Sequence, residues 1–419
     1  MLPKSRFAPV PAFAKSVSGG LTAPQGFLAA GVASGVKKRG KLDLGMLLSE
    51  RPAVSAATFT SNAAAAAPVR LTRESSDCAH LRAVVVNAGN ANAVTGKQGL
   101  ADAARMRLLT ANHLRLPVEQ VAVCSTGLIG VTLPMDKIEP GIAAAAAALP
   151  GGGDTRAADH FATAIRTTDK HPKSGALEVT LPEGRVKLGF AAKGCGMISP
   201  NMATMLCFVT CDAAMSAEHW TELLHGAVRR SFNLITVDGQ ESTNDTVLGL
   251  CNGASGVQPG EEGRVLLGRA LDVALLALAV SIVADGEGST RTMRLTVTGA
   301  SDAGKAEAVA RAVANSPLVK TAFYGRDPNW GRIMQAIGQA LGREGHTHLP
   351  AGIAYEDVLI VEKGQPAELD EVQRARLIEI MHQPEIDLTV ALNGPGEQAT
   401  VYFSDLTHDY VTLNAEYST

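Results

Sequence analysis

The sequence predicts an α+β fold, a layered α/β sandwich rather than a doubly wound dinucleotide-binding sheet. Three observations carry that expectation. Hairpin-like alternating runs and amphipathic helical stretches are mixed in both halves of the chain. No βαβ repeat is evident, and no GxGxxG follows a strand. Leu266 to Ala284 is apolar almost all round, as a helix buried between layers would be.

Composition narrows the function classes. The chain has 419 residues, 46% hydrophobic and 19% charged, enough for two or three globular sub-structures with sizeable cores. A formal net charge of -3 supplies no basic field, which argues against nucleic acid or an anionic membrane as partner. Six cysteines (78, 124, 195, 207, 211 and 251) without a CxxC pair point to a reducing cytoplasm. Near the N-terminus Lys, Ser and Pro interrupt any apolar leader-like run, and the longest apolar run, Val273 to Ala284, is too short to span a bilayer.

In chain order, Lys37-Lys-Arg-Gly40 reads as a solvated basic loop, with a substrate-anion role as the alternative. Arg82 to Val86 is a buried strand entering Asn87-Ala-Gly-Asn-Ala-Asn92, a segment that turns the chain or presents amides to a ligand. Val121 to Val123 is a second short strand. It runs into Cys124-Ser-Thr-Gly-Leu-Ile-Gly130, where small polar residues and glycine can expose a hydroxyl beside a free backbone N–H. Asp154 is placed to cap a helix carrying Ala158, Phe161, Ala162 and Ile165 on one face and ending at Thr167-Thr168-Asp169. Leu177, Val179 and Leu181, then Val186, Leu188 and Phe190, form a hairpin around Pro-Glu-Gly-Arg.

Beyond residue 204, Ser216 caps a helix with Trp220, Leu223, Leu224, Ala227 and Val228. The loop from Ser231 to Asp245 holds several carboxylates, but neither spacing nor a histidine marks a metal site, so capping and loop ordering are expected. Asp285-Gly-Glu287-Gly-Ser-Thr290 sets a carboxylate between glycines straight after the buried helix. A strand at Met293 to Val297 and a helix over Ala306 to Val313 follow, then the turn-rich Phe323 to Gly331 and a helix around Leu369 to Met381. Ile386 to Leu392 and Ala399 to Phe403 read as a second strand pair joined by Asn393-Gly-Pro-Gly396, and Asn414 to Thr419 as a free polar tail.

The chemically distinctive stretch is Lys193-Gly-Cys-Gly-Met-Ile-Ser-Pro-Asn-Met-Ala203-Thr204-Met-Leu. Two glycines and Pro200 shape a loop, and an apolar strand begins at Thr204. A glycine-rich turn before a core strand has this composition. So does a self-cleaving junction: the Thr204 hydroxyl attacks the carbonyl of Ala203, the resulting ester is hydrolysed, and the new α-amine, titrating at about 7.7 to 8.0, becomes the hydroxyl's own base.

Taken with Cys124 to Gly130, Asp285-Gly-Glu-Gly288, Tyr324-Gly-Arg-Asp-Pro-Asn-Trp-Gly331 and Asn414 to Thr419, this stretch closely resembles the ornithine acetyltransferase family of arginine biosynthesis, in order through essentially the whole chain. The resemblance implies a sandwich of the self-cleaving N-terminal-nucleophile type, cut between Ala203 and Thr204 into an α chain of 1–203 and a β chain of 204–419, two of each per tetramer. It implies Thr204 as nucleophile, Thr126 and Gly127 as the oxyanion hole, and Thr167 (or its neighbour Thr168), Lys193, Thr204, Glu287, Asn414 and Thr419 as substrate-binding residues. N-acetylornithine and glutamate are the implied substrates, with acetyl-CoA as a further donor and no bound cofactor or metal. Gln240-Glu241 departs from the family's usual Asp-Thr, and the charge of Glu287 suits an ornithine ammonium better than glutamate, or else orients the Thr204 amine. The competing activity is an N-terminal-nucleophile amidohydrolase or aminopeptidase, which passes the acyl group to water.

Overall fold

The computed structural model describes residues 1–199, 205–342, 351–392, 394 and 396–416. They form two compact units, residues 1–233 with 240–282, and residues 234–239 with 283–416. The expected cut at 203/204 falls inside the first unit's stretch of chain.

The strands of the first unit are β1 (Ala14–Val17), β2 (Phe27–Val32), β3 (Leu44–Ser49), β4 (Val54–Phe59), β5 (Ala83–Asn90), β6 (Val121–Leu128), β7 (Lys173–Leu181), β8 (Gly184–Lys193) and β9 (Leu206–Cys211). After the two-residue β10 (Ile235–Thr236) of the second unit comes β11 (Thr246–Cys251). Its helices are α1 (Ala67–Ser75), α2 (Gly96–Leu114), α3 (Met135–Ala148), α4 (Thr155–Ala164), α5 (Ala217–Arg229) and α6, which starts at Glu261 and runs to Ala284. Two sheets result, ordered β1-β7-β8-β9-β11-β4 and β2-β3-β5-β6.

Strand parity makes the layers. Val84 and Val86 of β5, Ala122 and Cys124 of β6, Leu206 and Phe208 of β9 and Leu248 and Leu250 of β11 share one core between the sheets. The alternate residues Val85 and Val123 face Met106 of α2 and Ile138, Ile142 and Ala145 of α3. On the outer face of β11, a Cβ at Gly249 would lie 2.8 Å from Leu224 of α5, and Trp220 Nε1 donates to the Gly249 carbonyl at 2.9 Å. The unit is a helix–sheet–sheet–helix sandwich, as its patterning led one to expect.

Two connections correct the sequence reading. β5 and β6 pair in parallel across α2, and β9 and β11 pair in parallel across α5. These are βαβ units that periodicity did not reveal. Helix α2 has a weak apolar stripe, β11 is apolar on both faces, and β6 runs past Val123 through polar residues to Leu128. The segment 87–92 is likewise partly strand, since β5 continues to Asn90.

The second unit adds β12 (Thr292–Ala300), α7 (Ala303–Ala314), α8 (Pro317–Tyr324), α9 (Trp330–Gly342), β13 (Gly352–Tyr355), β14 (Val358–Glu362), β15 (Gln365–Pro366), α10 (Glu371–Met381), β16 (Glu385–Ala391), β17 (Glu397–Ser404) and α11 (His408–Glu416). Its sheet runs β10-β17-β12-β16-β13-β14-β15. Met293, Leu295 and Val297 with Leu388, Val390 and Phe403 pack on Val309, Val313, Ile333, Ile337 and Ile380 of the helices. The expected β16–β17 hairpin is not formed. Instead β12 lies between them, parallel to β16 and antiparallel to β17. The expected free tail is helical to Glu416. Finally, α6 has 24 residues, so by length and composition it is able to cross a bilayer, contrary to the estimate from the uninterrupted apolar run, although most of it is buried within the protein.

Candidate active site

The parity that fills the core also aims two polar side chains into it. Thr126 follows Ala122 and Cys124 on the inner face of β6, and Lys193 follows Ala191 on the inner face of β8. Both are buried, and Lys193 Nζ donates to Thr126 Oγ1 at 3.2 Å. Gly127, next along β6, has φ +133° and stands opposite Gly89 of β5. A Cβ there would lie 2.3 Å from the Gly89 carbonyl carbon, so only glycine lets the two strands close up at this point. A hydroxyl and a backbone turn are thereby placed beside a buried cation.

That cation belongs to a larger charge cluster. Asp169 is fully enclosed: Oδ1 accepts from Lys173 Nζ at 2.8 Å and Gly194 N at 2.6 Å, while Oδ2 accepts from Thr167 N at 3.1 Å and lies 4.0 Å from Lys193 Nζ. Burial alone would push this carboxyl up, but Lys193, Lys173 and the Gly194 N–H outweigh it and hold Asp169 well below the usual carboxylate range. One carboxylate thus fixes both Thr167 and the Lys193–Gly194 corner. Thr168, the alternative to Thr167, is engaged with the Cys195 sulfur at 2.9 Å.

Lys37 departs from the solvated-loop reading. It is half-buried, with Nζ donating to the carbonyls of Leu42 (2.9 Å) and Ala164 (3.1 Å), and its stem lies over Gly89. Burial pushes its ammonium down to about 8 against the pull of Asp43, and the nearby Lys193 and Arg166 lower it further. The end of β6 is secured by buried amides. Ser125 Oγ donates to Asn87 Oδ1 at 2.6 Å, Asn87 Nδ2 to Asn90 O at 2.9 Å, and Asn244 Nδ2 to Ala91 O and Ser125 O at 2.7 and 2.8 Å.

In the second unit Glu287 and Asn414 also meet, Asn414 Nδ2 donating to Glu287 Oε2 at 2.8 Å from helix α11. The Glu287 loop is braced by Asp405, which accepts from Thr290 N at 2.8 Å, and by Thr407 Oγ1, which donates to Gly288 O at 2.8 Å. Ala203, Thr204 and Thr419 lie outside the described residues. Glu241, in the loop that departs from the family pattern, is exposed and contributes its carbonyl to Asn62 at 3.1 Å. Among the described residues no cluster of His, Cys, Asp or Glu could hold a metal ion. A surface cavity of about 520 Å³ beside Arg70, Arg73 and Val94 contains none of the expected site residues. Sequence reasoning passed over Lys173, and it named Asp169 only as a helix end, Asn87 within a segment that turns the chain or presents amides, and Asn244 within a loop held by capping and ordering contacts. Only the glycine and small-polar punctuation around them gave any signal.

Comparison with known proteins places the chain in a family. The ArgJ family model matches residues 28–419. The arginine biosynthesis bifunctional protein ArgJ of Symbiobacterium thermophilum is 44% identical over 410 residues, covering 96% of this chain and 99% of that protein. Its namesake from Nitratidesulfovibrio vulgaris is 44% identical over 402 residues, covering 94% and 98%.

The chain belongs to the ArgJ family.

As an ArgJ protein it is a bifunctional acetyltransferase of arginine biosynthesis, as the sequence motifs implied. Among solved structures, ornithine acetyltransferase from Mycobacterium tuberculosis, complexed with ornithine, is 41% identical over 45% of this chain and 98% of its own, with a TM-score of 0.42. An ArgJ protein from the moss Physcomitrium patens, 43% identical over 97% of this chain and 79% of that protein, is named as chloroplastic.

Proposed function

We propose that this ArgJ chain carries the acetyl group from N-acetylornithine to glutamate on Thr204. The observation that supports the reading is the 3.2 Å bond between Lys193 and Thr126 beside the Gly89–Gly127 contact, a donor set suited to an anion. Thr204 Oγ first attacks the Ala203 carbonyl and gives its proton to the peptide nitrogen as the C–N bond breaks, which frees the Thr204 amine and leaves an ester; water then hydrolyses that ester, releasing the Ala203 carboxylate and restoring the Thr204 hydroxyl. That amine then takes the hydroxyl proton as Oγ attacks the acetyl carbonyl. The Thr126 hydroxyl and Gly127 N–H stabilise the oxyanion, and the proton passes to the departing ornithine nitrogen. The glutamate amine attacks acetyl-Thr204 in turn, and N-acetylglutamate leaves.

Lys193, seated in a cluster where Lys173 and Lys37 leave a net positive charge around Asp169, takes the substrate α-carboxylate. Thr167, Glu287, Asn414 and Thr419 are the other substrate-binding residues that the family resemblance implies. Acetyl-CoA acts as a second acetyl donor to glutamate, and no resident cofactor is required. The working particle is two α and two β chains in the cytoplasm, a compartment consistent with six unpaired cysteines.

The test is to supply N-acetylornithine and acetyl-CoA separately with glutamate, to wild type and to Thr204→Ala. Wild type is expected to yield acetylglutamate faster than acetate and to show ping-pong kinetics, and Thr204→Ala to remain a single uncut and inactive polypeptide. Acetate as main product would favour the amidohydrolase reading. A Thr204→Ala protein that is cut and active would falsify the nucleophile assignment.

A further inference from the structure

Asn244 and Asp245, two adjacent residues just before β11, reach opposite ways because successive side chains of an extended segment do. Asn244 spends both amide hydrogens on the four-stranded sheet's side, at Ala91 O and Ser125 O, and Ser125 immediately precedes Thr126. Asp245 turns to the six-stranded sheet, where its Oδ1 accepts from Met205 N at 2.8 Å. Met205 immediately follows the expected cleavage point, and its carbonyl is held from the other side by Thr246 N at 3.1 Å. Both side chains are buried, and the pair is pinned in turn, Asn244 N donating to Ser242 Oγ at 3.0 Å and Thr60 N to Asp245 O at 2.9 Å.

Among the described residues Asp245 Oδ2 is buried with no hydrogen-bond partner, which calls for an explanation. The Ser242 hydroxyl favours the charged form of the acid. Burial, offset only in part by the Met205 N–H and the Lys193 charge, raises the pKa of this acid well above the ordinary carboxylate value.

We propose that Asn244 and Asp245 are a positioning clamp that ties the backbone following Thr204 to the oxyanion strand, fixing the separation of nucleophile and oxyanion hole. The proposal rests on the functional reading above. Neither residue touches substrate in this scheme. They set a distance across which a misplacement of about 1 Å costs roughly 10²-fold in rate.

The deciding pair is Asp245→Asn, which keeps an oxygen for Met205 N–H, and Asp245→Ala, which does not. Self-cleavage is followed by intact mass, and kcat and KM are measured for acetyl transfer to glutamate. The Ala variant is expected to slow both cleavage and kcat by about 10²-fold while KM stays near the wild-type value, and the Asn variant to restore both. An Ala variant that cleaves and turns over like wild type overturns the clamp, and so does an Asn variant as slow as Ala. Should the Ala variant fail to fold, Asn244→Ala releases the oxyanion side alone. A lower kcat at unchanged KM supports the proposal, and an unchanged kcat overturns it. Failure of the functional reading is seen separately, in a Thr204→Ala protein that is cut and active whatever Asp245 does.

Discussion

At the scale of single residues, the site is decided by contacts that leave little room for change. Thr126→Ala removes one hydroxyl without altering the backbone, so it should fold normally and lose roughly 10²- to 10³-fold in kcat. Gly127→Ala adds a methyl 2.3 Å from a backbone carbon at φ +133° and should lower both stability and activity, checked by thermal melts beside the assay. Asp169→Asn would leave Lys173 and Lys193 buried without their counter-charge, a cost on the order of 3–5 kcal/mol in urea denaturation at pH 7.

The pH dependence of that cost follows from linkage. The Asp169 pKa is depressed in the folded state, so its contribution is complete above the unfolded value of 3.8 and is lost as pH falls from there toward the folded one. The acid limb of stability should therefore be shallower in Asp169→Asn than in wild type. Thiol chemistry offers a further check. Burial pushes Cys124 and Cys195 up to about 12, so in the native protein at pH 8 only the half-exposed Cys78 is expected to react with a disulfide reagent, against all six after denaturation.

Elements show which parts of this were legible beforehand. Helix α4 was readable because Asp154 caps it, accepting from Ala157 N at 2.8 Å, and because its apolar residues keep helical spacing. The β7–β8 hairpin and the end of β6 were readable from alternation and from glycine. The parallel partners were not, since parallel pairing is a non-local choice that a nearly uniform apolar run such as β11 does not encode. The buried Asp169–Lys173 pair was equally hidden. A charged residue reads as surface until the chain supplies its partner, and Lys193, the second cation, arrives twenty-odd residues later. In the second unit, a Cβ at Gly288 would lie 2.5 Å from both Thr407 Oγ1 and Tyr410 N. Gly288→Ala should push α11 off the Glu287 loop and raise KM for the amino-acid substrates, by about as much as Asn414→Ala, with kcat largely kept.

For the molecule as a whole, the first unit's six-stranded sheet is assembled from both sides of residue 204. Strand β9 is an interior strand, antiparallel to β8 on one side and parallel to β11 on the other. Cutting the chain ahead of β9 breaks one covalent link but none of the ladder bonds that flank it. Denaturing electrophoresis should therefore give two bands, while gel filtration in native buffer gives one particle containing both.

An interior strand that begins at the cut makes continuity of the messenger dispensable. Two open reading frames, one ending at codon 203 and one supplying Met ahead of codon 204, should complement each other when expressed in the same cell. Once an aminopeptidase trims the initiator, such a reassembled enzyme would owe nothing to self-processing, and genetic rescue of an arginine auxotroph would report on acetyl transfer alone.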